Sequence, residues 1–392
     1  MGHLTEFHPA PGAVRGAFYL ADVRQQSELL TPYAGTVRMV YLDLPPFGAR
    51  PIAQVRVGRA GFSGKGEKKQ RVEIPGGGRD REAYLSLVRA ALVSARALLT
   101  ADGSLYLHVN GLSPQVRMAA DEIFGEKNLR NEIVWHYHAT GRARDRFSAR
   151  HVTILLYGKT PKPYFNPEAA AMIREGTPRG HLKRTVDEAG RVCYTAKSGG
   201  KLYVYHEDDP VYPDDVWEKL ELQKQEYVGY EGQKPVSLLQ RMILASTRPG
   251  DRVADLFAGS GTTAVAATAL GRSWLAMDIS PMAMNCHRRR LMGSYFALWG
   301  PEPEEAELAQ VRPLLIDGEI TPKKSEETEW IAVGRMTREG AVIQSQRIRT
   351  VREPALDRPM LFSAVEGAVV VAADYKGNRY IQKLYGQAEE TR

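Results

Sequence analysis

The chain has 392 residues, of which 43% are hydrophobic and 25% are charged, a composition typical of a folded protein and not of a disordered one. No apolar run approaches the roughly 20 residues of a membrane-spanning helix, and the first residues lack a signal-peptide pattern. A cytoplasmic protein without membrane contact is therefore expected. With only Cys193 and Cys286 and no C-x-x-C pair, neither a disulfide framework nor a metal site is expected.

The net charge of +7 is spread unevenly along the chain. Residues 301–392 hold 13 Lys and Arg against 16 Asp and Glu, so residues 1–300 carry the whole excess, a net charge of +10. A positive balance of this size favours nucleic-acid phosphate as the partner. A basic surface that contacts only water and salt is the alternative.

Apolar runs bounded by turn residues alternate with amphipathic stretches along the chain, which predicts an α/β fold with a mostly parallel sheet. The predicted strands cover residues 37–42, 104–109, 153–157, 252–256 and 273–277. The predicted helices cover residues 82–99, 114–124, 236–246, 262–270 and 280–291.

Three regions lack this alternation. Residues 48–78 are rich in Gly, Lys and Arg and are expected to form a mobile loop. Residues 139–214 mix Arg, His, Tyr, Gly and Pro and predict a small insert that could recognise a target. After a linker, short alternating runs between residues 329 and 385 predict a compact β-rich appendage.

A strand that runs into a glycine-rich turn and then a helix is the sharpest motif, Arg252-Val-Ala-Asp255-Leu-Phe257-Ala-Gly259-Ser-Gly261-Thr262-Thr263. The glycines let the backbone approach a ligand closely, and the helix amino end favours electron-rich groups. Asp278 follows at the end of the next predicted strand, where a carboxylate can accept hydrogen bonds from ribose hydroxyls. Taken alone, the motif also fits a dinucleotide such as NAD.

Two further segments decide between NAD and another cofactor that contains adenosine. Gln233-Lys234-Pro235 opens the helix before the glycine turn, and Asp43-Leu44-Pro45-Pro46-Phe47 follows the first predicted strand. Together with the glycine turn they resemble the amino-methylating DNA methyltransferases, which use S-adenosyl-L-methionine (AdoMet) and act on adenine N6 or cytosine N4. Since the Pro-Pro-Phe segment precedes the AdoMet motif, the order resembles the beta class of that family. The resemblance extends from about Ala17 to Leu291.

The resemblance implies a Rossmann-like AdoMet-dependent methyltransferase fold in four parts. These are a catalytic half over residues 1–138, a target-recognition insert over 139–214, an AdoMet-binding half over 215–299, and a linker with a small β-rich domain over 300–392. The residues expected at the cofactor are Asp22, Lys234, Pro235, Asp255, Phe257, Gly259, Gly261, Thr262 and Asp278.

The implied catalytic residues are Asp43, Pro45, Pro46 and Phe47. Phe47 would stack on the flipped base, and Asp43 or the Pro45 carbonyl would accept a hydrogen bond from its amine. When Pro45-Pro46-Phe47 is aligned with the family motif without a gap, Leu44 occupies the position of the family's acidic residue. Because strand side chains alternate, Asp43 is then expected to face away from the pocket unless a bulge restores it. An active adenine-N6 enzyme and a degenerate AdoMet- or DNA-binding subunit that pairs with an active homologue both stay open.

Double-stranded DNA is the implied partner, with a homodimer or a heterodimer of methyltransferase subunits as a further expectation. The residues expected to contact DNA are Arg142, Arg144, Arg146 and Arg150 in the insert, and Lys65 and Lys68 in the loop over 48–78. Arg288, Arg289 and Arg290 end a predicted helix, and the helix dipole is a sufficient explanation for them.

Overall fold

A computed structural model describes residues 3–9, 15–25, 27–48, 52–55, 71–74, 78–138, 141–171, 182–206, 209, 212–301, 314–316, 319–321, 328–348, 360–361, 367–374 and 379–383. The helices in this part of the chain are α1 (Arg81–Leu98), α2 (Ser113–Phe124), α3 (Val236–Ser246), α4 (Thr262–Ala269) and α5 (Pro281–Arg290). The strands are β1 (His3–His8), β2 (Gly16–Leu20), β3 (Val37–Asp43), β4 (Ile52–Val55), β5 (Arg71–Ile74), β6 (Leu99–Val109), β7 (Leu129–His136), β8 (His151–Gly158), β9 (Lys183–Val186), β10 (Val192–Ser198), β11 (Lys201–His206), β12 (Val216–Trp217), β13 (Arg252–Asp255), β14 (Ser273–Asp278), β15 (Phe296–Pro301), β16 (Leu314–Ile316), β17 (Glu319–Thr321), β18 (Thr328–Met336), β19 (Ala341–Ile348), β20 (Met360–Leu361), β21 (Ala368–Asp374) and β22 (Arg379–Lys383).

One sheet organises these elements, with the strand order β12-β7-β8-β6-β3-β13-β14-β2-β15-β1-β19-β18-β21-β22. Its centre, from β6 to β15, is parallel. β8 is antiparallel to both β6 and β7. Two apolar layers cover the two faces of this sheet, one with α1 and α2 and the other with α3, α4 and α5. The expected Rossmann-like α/β fold with a mostly parallel central sheet is confirmed.

The predicted helices and strands are all present, and most of their ends agree within two residues. Helix α1 shows why the sequence signal was clear: Glu82 N and Ala83 N donate to the Asp80 carboxylate at 2.9 and 3.0 Å, and an apolar stripe containing Val88 and Leu92 is buried. The pattern did not predict β7 and β15, whose segments contain charged residues or Gly and Pro. No helix among the described residues is long and apolar enough to cross a membrane.

Two of the three regions without helix and strand alternation contain more regular structure than predicted. β4 and β5 pair as antiparallel strands inside residues 48–78, a pairing that the expectation of a mobile loop did not include. The intervening residues, including Lys65 and Lys68, lie outside the described part of the chain. In the insert, β9, β10 and β11 form a separate three-stranded sheet.

The carboxyl-terminal region is β-rich, as predicted, and its strands continue the central sheet. β1 pairs in parallel with β19, which places β18, β21 and β22 on the same sheet as the methyltransferase-like core. The four domain boundaries proposed from the sequence stay predictions.

A buried ion cluster holds this junction together. Arg288 donates to both oxygens of Glu6, at 2.6 and 3.0 Å, and the Arg379 guanidinium lies 2.7 Å from the same carboxylate. Burial alone would raise the pKa of Glu6, but the two guanidiniums hold it well below its usual range. The Arg288 guanidinium also lies over the Trp330 ring, 4.4 Å from its centroid. β1, α5 and β22 therefore meet at one carboxylate, and β18 contacts its partner Arg288 through Trp330.

The explanation of Arg288, Arg289 and Arg290 by the helix dipole alone is wrong. Arg288 is fully buried on Glu6, and Arg289 pairs with Glu329 at 3.1 Å. Arg290 reaches the glycine turn. Each side chain thus has its own tertiary partner, which no local pattern in the helix indicates.

Replacing Glu6 by Gln is expected to lower the free energy of unfolding by about 3–5 kcal/mol, because two buried guanidiniums lose their counter-charge. Urea unfolding followed by circular dichroism measures the change. The control is Glu122→Gln, which removes an ion pair with Arg89 on the protein surface and should leave the unfolding curve unchanged. Equal curves for the two variants would show that the cluster does not stabilise the junction.

Candidate active site

A cavity of about 540 Å³ lies at the edge of the sheet where the parallel strands end. Asp43, Asp255 and Asp278 are the last residues of β3, β13 and β14, so the parallel pairing brings the three carboxyl groups to one edge. Ten of the predicted site residues line the cavity: Asp22, Asp43, Pro45, Pro46, Lys234, Asp255, Phe257, Gly259, Thr262 and Asp278. Among the described residues there is no group of three or more His, Cys, Asp or Glu side chains arranged to hold a metal ion.

The Asp43 carboxylate is held from two sides. The Lys234 ammonium donates to Oδ2, and the Asn110 amide donates to Oδ1 at 2.9 Å and to the Leu44 carbonyl at 3.0 Å. Burial alone would raise the pKa of Asp43, but the Lys234 ammonium and these hydrogen bonds bring it below its usual range. Asp43 is therefore ionised at neutral pH and can accept hydrogen bonds.

His108 lies behind Asp43 and is not its counter-charge. Its ring is buried, Nδ1 shares a hydrogen bond of 3.1 Å with the Tyr41 hydroxyl, and it lies 3.9 Å from Asp43 Oδ1. Burial lowers the pKa of His108 to about 4, despite the opposing effect of Asp43. The imidazole is thus neutral at pH 7, and Lys234 supplies the positive charge.

The expectation that Asp43 faces away from the pocket without a bulge is wrong. β3 and β6 pair in regular register from Met39 to Asp43, and Asp43 still lines the cavity. Leu44 also lines the cavity, but it is 1% exposed and its side chain packs in the apolar layer with α1. The side-chain alternation that raised the doubt is what directs Asp43 into the cavity and Leu44 into the core.

Phe47 takes a different position from the other residues of its motif. Its ring packs edge-on against Tyr84, with 5.3 Å between the ring centroids, and it does not line the cavity. Tyr84 does line the cavity, and its buried hydroxyl has no hydrogen-bond partner among the described residues. Tyr84 therefore provides the aromatic ring of the cavity lining that Phe47 was expected to provide, together with a hydroxyl group.

The glycine turn packs closely against two aromatic rings. Gly259 and Gly261 have φ angles of +45° and +78°, and a Cβ at these positions would lie 3.1 Å from the rings of Tyr230 and His287, respectively. Arg290 donates to the Ser260 carbonyl at 3.0 Å from outside the turn. The turn is thus packed between two aromatic rings and a guanidinium.

Two carboxylates brace the turn from the strand side. Phe257 N and Thr263 Oγ1 donate to Asp255 at 3.0 and 2.5 Å, and Gly259 N donates to Asp278 at 2.7 Å. Burial raises the pKa of Asp255 to about 7 and that of Asp278 to about 6. A raised pKa means that these groups stay protonated to a higher pH in the folded state than in the unfolded chain. Stability contributed by these groups is therefore lost as the pH rises from about 4 to about 7.

The remaining predicted cofactor residues support the cavity from its sides. Asp22 lines it and forms an ion pair with Arg24 at 2.5 Å. The Lys234 carbonyl accepts a hydrogen bond from Thr262 Oγ1 at 3.1 Å, and Pro235 is the amino-terminal cap residue of α3. Pro235 and Gly261 lie behind the lining and shape it indirectly.

Sequence reasoning missed Asn110, Tyr84 and Tyr230 as residues of this site. Asn110 follows the last residue of β6, which is parallel to β3. Its place at the carboxyl end of a parallel strand was a usable signal for Asn110. Tyr84 and Tyr230 reach the cavity from α1 and from the loop before α3, and only tertiary packing brings them there.

The four arginines predicted to contact DNA lie together in the loop between β7 and β8. Arg142, Arg144 and Arg146 are exposed, while Arg150 is half-buried and donates to the Gly141 carbonyl at 2.6 Å. They do not line the cavity. Their contact with DNA stays a prediction.

Gly261→Ala is expected to destabilise the fold more than Gly271→Ala. Both residues have similar positive φ angles, +78° and +71°, so both variants carry the strain of about 1 kcal/mol of a left-handed alanine. At Gly271 nothing lies within 4 Å of the added Cβ, whereas at Gly261 the His287 ring must move. Thermal unfolding of both variants gives the difference, and equal melting temperatures would show that the His287 contact does not constrain the turn.

Comparison with known proteins agrees with this geometry. A family model described as DNA methylase matches residues 37–287, more than half of the chain. Over 224 residues the chain is 27% identical to the DNA adenine methyltransferase YhdJ of Escherichia coli K12, covering 54% of this chain and 67% of that protein. Over 269 residues it is 25% identical to the Type II methyltransferase M.EcaI of Enterobacter cloacae, covering 54% of this chain and 60% of that protein.

Among solved structures, the PvuII cytosine-N4-specific DNA methyltransferase aligns with a TM-score of 0.44 at 14% identity, covering 72% of this chain and 90% of that one. The family model spans the segments that build the cavity, from β3 with Asp43 to the glycine turn and α5. This chain therefore belongs to the N6 and N4 DNA methylase family.

Proposed function

We propose that this chain transfers a methyl group from AdoMet to an exocyclic amine of a base flipped out of double-stranded DNA, with adenine N6 as the acceptor. The observation that carries the proposal is that one cavity contains the ionised Asp43 carboxylate together with the glycine turn and Asp278. A group that can bind an amine and a turn that can bind a nucleoside thus share one space of about 540 Å³.

The residues of the glycine turn fit AdoMet by their chemistry. Gly259 brings its backbone to the cavity surface, the amino end of α4 follows, and Asp278 offers carboxylate oxygens for ribose hydroxyls. The unpartnered Tyr84 hydroxyl supplies a further polar group in the cavity. Bound there, AdoMet supplies an electrophilic methyl group.

On the base side, Asp43 is the group that prepares the amine. The lone pair of an exocyclic amine is delocalised into the ring, and a carboxylate that accepts its N–H hydrogens returns electron density to the nitrogen. Lys234 and Asn110 fix the carboxylate in the cavity and keep it ionised. Pro45 and Pro46 follow after Leu44 and line the same cavity, and their fixed φ angles restrict the Pro45 carbonyl, which would act as a second acceptor.

Adenine is preferred as the target for two reasons. The motif contains an aspartate, which in the resembling family accompanies adenine more often than cytosine, and the Escherichia coli relative is named a DNA adenine methyltransferase. The curated matches span about two thirds or less of those relatives, so the activity of the whole protein is part of the proposal.

Asp43→Asn is expected to lower methyl transfer by about a hundredfold or more, since the amide accepts less strongly and also presents donors. Transfer of labelled methyl from AdoMet to unmethylated genomic DNA measures it, and mass spectrometry of digested DNA separates N6-methyladenine from N4-methylcytosine. Asp102→Asn, near the amino end of β6 at the opposite edge of the sheet, is the control and should keep full activity.

AdoMet binding is measured beside turnover by calorimetry. If the wild-type chain binds AdoMet and never methylates DNA, the chain is instead a degenerate subunit. If Asp43→Asn retains wild-type turnover, Asp43 is not the group that prepares the amine. Leu44→Asp is not a useful gain-of-function variant, because its carboxylate would be buried in the apolar layer.

The affinity for AdoMet is expected to fall as the pH drops through about 6, the pKa of Asp278. Protonation removes the charge and part of the acceptor capacity that the ribose hydroxyls require. Calorimetric titration between about pH 5 and pH 8 measures this dependence. Asp278→Asn should bind weakly throughout and lose the step near pH 6. A wild-type Kd that stays constant over this range would contradict the assignment of Asp278.

A further inference from the structure

The most exposed large apolar side chain among the described residues belongs to Phe147, whose relative exposure is 101%. It lies in the loop between β7 and β8, which is described from Gly141 onward. A phenyl ring held entirely in water gains nothing for the folded state. Phe147 is thus a candidate for contact with a partner, and its surroundings indicate which one.

The loop presents this ring from a defined conformation. Ala143 N donates to Ser148 Oγ at 3.0 Å, and Arg150 Nη2 donates to the Gly141 carbonyl at 2.6 Å. These two bonds close the loop on both sides of Phe147. The ring therefore occupies the turn of a closed loop.

The loop lies at the edge of the sheet that contains the cavity. Asp43 pairs with His108, and His108 pairs with Ile154, so Ile154 marks the level of Asp43 on β8. β8 begins three residues earlier, at His151, and its start therefore projects about 10 Å beyond that level. His136, the last residue of β7, pairs with His151, so the loop that contains Phe147 joins β7 and β8 at this edge. A duplex with a base in the cavity would pass over this loop.

The charge around Phe147 favours a nucleic acid over an apolar protein surface. Arg142, Arg144 and Arg146 are exposed in the same short loop. Asp145 is the only acidic residue from 141 to 150, and it pairs with Arg146. A single aromatic ring surrounded by guanidiniums matches the phosphate and base pattern of a duplex.

We propose that Phe147 inserts into the DNA base stack and occupies the space left by the base that enters the cavity. This inference rests on the proposed function and adds the residue that opens the duplex. Extruding a base costs stacking energy, and an aromatic side chain in the gap restores part of it. The arginines hold the backbone while the ring inserts.

The first test compares methyl transfer to a duplex with a paired target base and to one with a mismatched target base, after sequencing of genomic DNA methylated by the wild-type protein has located the target sequence. Phe147→Ala should lose about tenfold in kcat/KM on the paired duplex, and at most about twofold on the mismatched duplex, where the base is already unstacked. Phe147→Trp should retain activity on both. Phe165→Ala, an exposed phenylalanine after β8 at the opposite edge, is the matched control and should behave as wild type.

The second test does not depend on methylation. Ligase seals a nicked plasmid in the presence of the protein. Insertion of a side chain unwinds the duplex before it is sealed. After the protein is removed, the lost turns appear as negative supercoils. Wild type and Phe165→Ala should leave supercoils, and Phe147→Ala should not.

The two tests separate this inference from the proposed function. Three results overturn the insertion of Phe147 and leave the methyltransferase proposal standing. They are an equal loss of kcat/KM on paired and mismatched duplexes, wild-type kcat/KM for Phe147→Ala, and unwinding by Phe147→Ala. If unwinding requires Phe147 but no methyl transfer occurs, the insertion of Phe147 is supported and the proposed methyltransferase activity is overturned. Neither unwinding nor transfer by wild type overturns both.

Discussion

The parallel pairing of β3, β13 and β14 is the constraint from which the site follows. Parallel strands end at one edge, and each of these strands ends in aspartate, so three carboxyl groups meet at one cavity. Such a concentration of acidic groups is unfavourable unless cations or hydrogen-bond donors compensate it. The Lys234 ammonium compensates Asp43, while backbone N–H groups and Thr263 compensate Asp255 and Asp278.

This unequal compensation separates the three carboxylates by function. Asp43, next to a cation, is ionised and available as an acceptor at neutral pH. Asp255 and Asp278 receive only neutral donors, so burial dominates and their pKa values rise to about 7 and about 6. The same edge of the sheet can thus present one permanently charged group to a base and one titrating group to a cofactor. The cost of that arrangement is stability lost at neutral pH.

Large parts of the chain act on this edge from a distance. The ion cluster of Glu6, Arg288 and Arg379 joins β1, α5 and β22, and Arg290, two residues further along α5, holds the glycine turn. The carboxyl-terminal strands are therefore coupled to the turn through a single helix. Because Glu6 is fully buried, the cluster tolerates no missing member without an unpaired charge.

Local signals in the sequence determined the helices, most central strands, the glycine turn and the position of Asp278. Periodicity, a capping Asp80 and the positive φ angles of glycine act within a few residues and can be read from the chain. Only the tertiary structure decided that Asp43 faces the cavity while Leu44 is buried, that Asn110 and Tyr84 join the site, and that Phe47 does not line it. It also decided the partner of Arg288, which lies 282 residues away in the chain. Such contacts depend on which strands become neighbours, and no local pattern carries that information.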